Sequence, residues 1–173
     1  MTYPATLSSD IQRLASYLES NALKIATAES CTGGMLASSL TSMPGSSMWY
    51  EGGFVTYRIS AKSKMLDIDP TLIRQHGAVS EVVARHMAQH TLTHCEAQLS
   101  IATTGLAGPA GDGTATAIGT LWIAWASAAR EPHNAWVDAA QFELHMDREH
   151  FRETAVAFAI QGLLERVETK QDT

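Results

Sequence analysis

Ser30 lies in the run Ala-Glu-Ser-Cys-Thr-Gly-Gly, residues 28–34, where a short apolar segment gives way to a pair of glycines. A hydroxyl between a buried strand and the start of a helix projects from the sheet edge, and the free N–H groups of the first helical turn can face a developing negative charge. This placement suits a serine nucleophile with the amides of Thr32, Gly33 and Gly34 around it, the glycines letting the backbone come close to a substrate. The plainer reading makes Ser30 or Thr32 a helix cap and the glycines a tight turn.

A serine hydroxyl attacks poorly unless a base takes its proton. Of the seven histidines, His76, His86, His90 and His94 fall on or beside helical segments with solvent-like neighbours, and His133, His145 and His150 gather near strand ends late in the chain. None is placed by sequence beside Ser30, although members of a catalytic triad need not be close in sequence. Lys62 is the better base. Tyr57 ends a strand and Lys62 follows about one helical turn into the next element, a spacing that aims both side chains at the sheet edge carrying Ser30. Lysine acts as a base only when neutral, which burial favours. Lys64 is the rival, and residues two apart on a helix point to different sides, so both cannot serve. A solvated charge is the ordinary state of any single lysine.

A third element is the glycine-rich stretch Thr104 to Gly113, directly after an apolar run. In open α/β sheets ligands collect at the carboxyl ends of strands, and such a loop offers backbone N–H groups to phosphate or carboxylate. It matches neither the Walker A pattern nor G-x-G-x-x-G. Arg148, at the head of the last helical segment, could add a fork for phosphate.

The elements that must position these groups follow from periodicity. Leu7, Ile11, Leu14, Ala15 and Leu18 predict an amphipathic helix ending near Asn21. Residues 24–30 read as a buried strand and 35–40 as a helix stopped by Pro44-Gly45. A strand over 53–57 is followed by a short helix around 61–66. Asp69-Pro70 and Ser80 have the form of helix starts. Residues 99–105, 119–126 and 136–144 supply three more strands, the second apolar on both faces as a strand covered on each side must be. Asp147 caps a final helix carrying Val156, Ile160, Leu163, Leu164 and Val167. Helices and strands in this order predict a three-layer α/β/α sandwich around a mixed or mostly parallel sheet of about five strands.

Composition narrows the rest. A chain of 173 residues, 45% hydrophobic and 17% charged, has the size and texture of one domain spanning residues 1–173. Twelve Lys and Arg against eighteen Asp and Glu, without a basic stripe, disfavour a nucleic-acid partner. The two cysteines, Cys31 and Cys95, have no zinc or disulfide spacing. No stretch approaches the roughly 20 apolar residues of a membrane span, and the first residues lack the pattern of a secretion signal. A soluble, cytoplasmic protein without a metal or other cofactor is expected, and a homo-oligomer is expected for its size.

Taken together, the motifs resemble one family, the CinA C-terminal domain, also known as the competence/damage-inducible or nicotinamide-nucleotide amidase family. The likeness runs through Thr27–Gly34, Pro44–Ser47, Gly53–Tyr57, Ala61-Lys62, His76–Ser80, Thr104–Pro109, Gly119–Trp122 and Asp147-Arg148, covering most of the chain in order. It implies hydrolysis of the carboxamide of nicotinamide mononucleotide to nicotinic acid mononucleotide and ammonia. Ser30 would attack the amide carbon, Lys62 would carry its proton to the departing ammonia, and Tyr57 would orient or relay between them. Amides of Thr32, Gly33 and Gly34 would hold the oxyanion. The loop with Thr104, Gly105, Gly108 and Gly111, together with Ser47 and Arg148, would hold the ribose phosphate.

The chain departs from that pattern in places. Arg58-Ile59-Ser60 stand where the family often has Ser-Asn-Glu, Met146 replaces a glycine before Asp147-Arg148, and the loop after Pro109 lacks a Lys-Pro pair. Two alternatives therefore accompany the amidase reading. One is a catalytically silent paralogue that binds a nucleotide or a partner protein, the other a thiol amidase with Cys31 as nucleophile, for which no histidine partner is evident.

Overall fold

Bulky and small side chains, more than apolar and polar ones, alternate through the centre of the sheet. Ile101 precedes Ala102, Ile123 precedes Ala124 and Trp125 precedes Ala126, all of them buried. Successive side chains of a strand point to opposite faces, so one face of the sheet carries the large residues and the other the alanines. A computed structural model of the chain describes residues 5–128 and 134–169, with side chains from Leu7 onward. His133 lies outside the described residues.

In chain order the elements are α1 (Ala5–Ser20), β1 (Ile25–Glu29), α2 (Met35–Thr41), β2 (Tyr50–Val55), α3 (Ile59–Leu66), α4 (Pro70–His76), α5 (Glu81–Thr93), β3 (Leu99–Gly105), β4 (Thr120–Ser127), β5 (Trp136–Glu143) and α6 (Arg148–Thr169). A short 3-10 turn at Ser46–Met48 precedes β2. The five strands form one mixed sheet in the order β2-β1-β3-β4-β5. β1 is parallel to β2 and β3, whereas β4 and β5 are antiparallel. No helix intervenes between β3 and β4, so the chain returns alongside without the crossover that a parallel strand would need.

The large-residue face packs under α1, α2 and α6, joining Leu14, Leu18, Leu36, Leu40, Phe151 and Ile160 to Ile25, Ile101, Ile123 and Trp125. On the opposite face the alanines let α5 approach closely, and Val83, Met87, Leu66 and Ile73 close that layer over Ala28, Ala102, Ala124 and Ala126. This is the expected three-layer sandwich. Caps fall where their residue types placed them: Asp69 accepts from Thr71 N, Ser80 Oγ from Val83 N, and Asp147 Oδ1 from the amides of Glu149 and His150. β2 begins and ends earlier than expected, at Tyr50 and Val55, because its parallel register with β1 runs from Ile25–Tyr50 to Glu29–Val55, so Tyr57 lies beyond the strand instead of ending it; the Tyr50 hydroxyl meets Thr27 Oγ1 at 2.9 Å. Among the described residues no helix is long and apolar enough to cross a membrane.

This topology fixes where a site can lie. The chain leaves β1 for β2 on one side and reaches β3 on the other, so the carboxyl end of β1 is a switch point at which an open sheet forms a crevice.

The tightest packing joins α6 to the sheet. A Cβ on Gly162 would overlap Trp125 Cζ2 and stand 2.9 Å from Cε2. Trp125 cannot retreat, being 1% exposed with its Nε1 donating to Ala159 O at 2.7 Å. Gly162→Ala is therefore expected to cost about 2 kcal/mol through overpacking, against the gain in helix propensity that alanine would bring in open solvent. Urea unfolding measures this, and an unchanged midpoint would contradict the packing account.

Candidate active site

Ser30 follows the last residue of β1 and is held there by its own amide, which donates to Thr103 O of β3 at 2.9 Å. The chain then turns sharply. Gly33 and Gly34 have φ of +57° and +93°, left-handed values that a side chain resists, and α2 starts at Met35. The turn leaves Ser30 8% exposed at the floor of the crevice.

Lys62 meets it from the other side of the sheet edge. Although it sits on α3, its side chain points inward and is 1% exposed. Nζ lies 2.8 Å from Ser30 Oγ and donates to Thr56 O at 2.7 Å. Burial, which penalises the ammonium, lowers its pKa from 10.5 to about 8. The neighbouring Cys31 thiol would oppose that shift if ionised, but burial pushes its own pKa up to about 12. At neutral pH Cys31 is thus a neutral, packed thiol that lends Lys62 no negative charge and is a poor nucleophile. Lys64 is exposed, as the two-residue spacing requires.

No described histidine bonds to Ser30. His86 and His90 bond to the carbonyls of Val82 and Leu66, and His94 and His150 pair with Asp67 and Asp147. His76 and His145 are exposed. No three His, Cys, Asp or Glu side chains among the described residues converge to hold a metal ion.

The other expected residues divide into those brought to this edge and those held elsewhere. Tyr57 is at the edge but makes no hydrogen bond to Ser30 or Lys62. It is 57% exposed, and its hydroxyl accepts from Arg148 Nη2 at 3.0 Å. Arg148 Nη1 donates to Gly108 O at 3.1 Å, so Tyr57, Arg148 and Gly108 clasp three segments around the crevice. Thr104 is 1% exposed and its hydroxyl donates to Ala78 O, which commits that side chain to the scaffold. Gly105 is glycine for want of space: a Cβ there would stand 2.8 Å from Thr120 O and 3.0 Å from Phe151 Cζ. Gly111 is open, with no neighbour within 4 Å of a Cβ. Ser47 is not brought to the site. It is exposed on the turn before β2, and because β2 runs parallel to β1, that turn lies at the opposite edge, a strand length of roughly 16 Å from Ser30.

Two side chains that sequence reasoning passed over hold the turn after Ser30. Glu29, 1% exposed, accepts at Oε2 from Thr32 Oγ1 and the amides of Gly34 and Leu36, and at Oε1 from Ala37 N, all within 3.0 Å. A buried carboxylate thus saturates the positive end of α2. Because the Gly34 amide is used in this way, it is not free for an oxyanion. Arg152, from α6, donates to Thr32 O at 2.7 Å. The signal for Glu29 was present in the sequence as an acid inside an apolar strand, where a charge needs several donors. Nothing local marked Arg152, whose partner is 120 residues away.

Fold and site together define a three-layer α/β protein with a buried serine–lysine pair at the switch point of its sheet. The family model of the CinA C-terminal domain matches residues 8–167, and the chain belongs to that family. A CinA-like protein of Chlorobaculum tepidum is 44% identical over 146 residues, 84% of this chain but 34% of that protein, so the chain spans about a third of that relative's length. The nicotinamide-nucleotide amidohydrolase PncC of Pseudomonas putida is 38% identical over 153 residues, 88% of this chain and 92% of its own. The crystal structure of the competence/damage inducible protein CihA from Agrobacterium tumefaciens superposes with a TM-score of 0.88 at 31% identity, covering 95% of this chain and 98% of that one.

Glu29→Gln keeps the shape of the side chain but turns an amide NH2 toward backbone donors and removes charge-assisted bonds. A loss of about 2–4 kcal/mol in unfolding free energy is expected. Chemical denaturation checks it, and a loss of only a few tenths would mean that the carboxylate does not organise the turn.

Proposed function

We propose that the chain is a nicotinamide-nucleotide amidase that hydrolyses the carboxamide of nicotinamide mononucleotide through an acyl-enzyme on Ser30. The observation that carries this reading is the 2.8 Å approach of Lys62 Nζ to Ser30 Oγ, with both groups buried. The naming of the Pseudomonas putida relative as a nicotinamide-nucleotide amidohydrolase supplies the substrate.

Neutral Lys62 accepts the Ser30 proton as Oγ bonds to the amide carbon, whose oxygen takes up the electron pair. The amides of Thr32 and Gly33 stabilise that oxygen at the mouth of α2, the Gly34 amide being engaged by Glu29. Lys62 returns the proton to the amide nitrogen as the C–N bond breaks, releasing ammonia. A water molecule then attacks the ester carbon with Lys62 again as base, freeing the carboxylate product and regenerating the Ser30 hydroxyl. Thr56 O holds Nζ throughout. Tyr57, joined to Arg148, lines the entrance and orients the substrate, since its hydroxyl is turned from the dyad.

The silent-paralogue reading has one observation in its favour, the placement of Tyr57 on Arg148 instead of on Ser30 or Lys62. Ammonia release from nicotinamide mononucleotide separates the two. Turnover by the wild type, a fall of about 1000-fold or more in Ser30→Ala and Lys62→Ala, and retained turnover in Cys31→Ala support the amidase. Absence of turnover in a folded wild type that still binds the nucleotide supports the paralogue.

The pH profile has a definite sign. Lys62 is active when deprotonated, and with a pKa of about 8 roughly a tenth is neutral at pH 7. The expected kcat/KM therefore rises about tenfold per unit below that pKa and levels above it. A profile flat from pH 6 to pH 9 would exclude Lys62 as the base.

A further inference from the structure

Charges of both signs grip the turn after Ser30. Glu29 takes donors: the hydroxyl of Thr32 and the amides of Gly34, Leu36 and Ala37. Arg152 takes the acceptor that lies among them, the carbonyl of Thr32, at 2.7 Å. That carbonyl belongs to the same planar unit as the Gly33 N–H, which in a trans peptide points the opposite way. Among the described residues the Gly33 N–H has no hydrogen-bond partner, and Gly33 is exposed. The Thr32–Gly33 peptide is therefore held at one end and open at the other.

Two consequences follow from that arrangement. The first concerns orientation. Gly33 and Gly34 have φ of +57° and +93°, and glycine moves between such conformations and their mirror images at little cost, so the turn alone does not select which way this peptide faces. The Met35 amide reaches the same carbonyl only at 3.2 Å, and a charge-assisted bond from a guanidinium is the stronger hold. Its base is firm: Phe151, next to Arg152, is fully buried, and Trp125 Nε1 fastens the same helix at Ala159 O. The second consequence is polarisation. A cation on the carbonyl draws electron density across the peptide and makes its N–H a better donor. The guanidinium also sets a positive charge against that of Glu29, which by itself would oppose an anion forming beside Ser30.

We infer that Arg152 is a positioning residue for the oxyanion, fixing the Thr32–Gly33 peptide with its N–H turned into the crevice and strengthening that donor. Its part in turnover rests on the amidase reading, and its hold on the peptide rests on the turn itself. Arg152 acts through the backbone and touches neither Ser30 nor the reacting atoms.

The test uses the full chain, Arg152→Met, which keeps an apolar stem without donors, and Arg152→Lys, which restores the charge and a donor. Threonine labelled with 13C at the carbonyl, combined with 15N-glycine, marks only the Thr32–Gly33 and Thr104–Gly105 peptides of this sequence. The second lies in β3, paired with β4, and serves as the internal reference for any general displacement of α6. The proposal expects the Thr32 carbonyl and Gly33 amide signals to move in Arg152→Met and to return part of the way in Arg152→Lys, with Thr104–Gly105 unmoved. With nicotinamide mononucleotide, kcat should fall about thirtyfold in Arg152→Met with KM within about twofold, and recover to within about threefold in Arg152→Lys, a smaller loss than removal of a whole oxyanion donor. Unmoved Thr32–Gly33 signals in Arg152→Met overturn the proposal. So does an unchanged kcat, and if KM alone rises, Arg152 is a cation that binds substrate. If the wild type turns over no mononucleotide, the amidase reading fails, while a Thr32–Gly33 shift that lysine reverses still upholds the grip of Arg152 on the peptide.

Discussion

Burial of one lysine governs the crevice at the carboxyl end of β1. Lys62 is drawn out of water to within 2.8 Å of Ser30 Oγ, and an ammonium in that position is disfavoured. Its pKa falls because of that burial, which brings the loss of its proton toward neutral pH and is also a cost to the fold. The sign follows from linkage: an unfolded lysine keeps its proton up to 10.5 while the folded one releases it at about 8. Over that interval the contribution of Lys62 to stability rises with pH, and below it the buried charge works against folding. The two core layers and the packing of α6 on the sheet must outweigh that cost. Strained or buried groups at functional sites commonly depend on the surrounding scaffold in this way.

Glu29 is the counterpart of Lys62 beside Ser30. Both are 1% exposed, yet they do not pair with each other. Glu29 is satisfied by three backbone amides and a threonine hydroxyl, and Lys62 by a carbonyl and the serine. Keeping the two charges apart has a chemical consequence. A carboxylate bonded to Lys62 would hold it protonated, whereas a carboxylate spent on the start of α2 fixes the turn and leaves the lysine free to lose its proton. The hydroxyls of Thr32 and Thr103, 2.8 Å apart, tie that turn to β3 and keep Ser30 at the crevice floor.

Much of this was legible in the sequence, because most elements are locally consistent. The run over 99–105 reads as a strand and is one to the residue, since its β-branched and small residues have no helical period. The caps at Asp69, Ser80 and Asp147 were visible for the same local reason. Where sequence reasoning fell short, the deciding contact was distant or the side-chain direction was misjudged. Tyr57 was aimed at the dyad as the last residue of a strand, but β2 ends at Val55 and Tyr57 lies two residues beyond it. Thr56, fully buried, is the residue facing inward, and Tyr57 faces out to Arg148. Ser47 lay within a family motif, yet motif order says nothing about which end of a parallel strand a turn occupies.

Following the titration of Lys62 itself tests the dyad most directly. Heteronuclear NMR of its Cε and Nζ signals, assigned with Lys62→Met, reports the side chain independently of any substrate. A midpoint near 8 is the predicted result and would place a neutral amine beside Ser30 in the pH range where cells work. A midpoint at 10.5, the ordinary lysine value, would mean that Nζ remains an ammonium, and the serine would then be without its base.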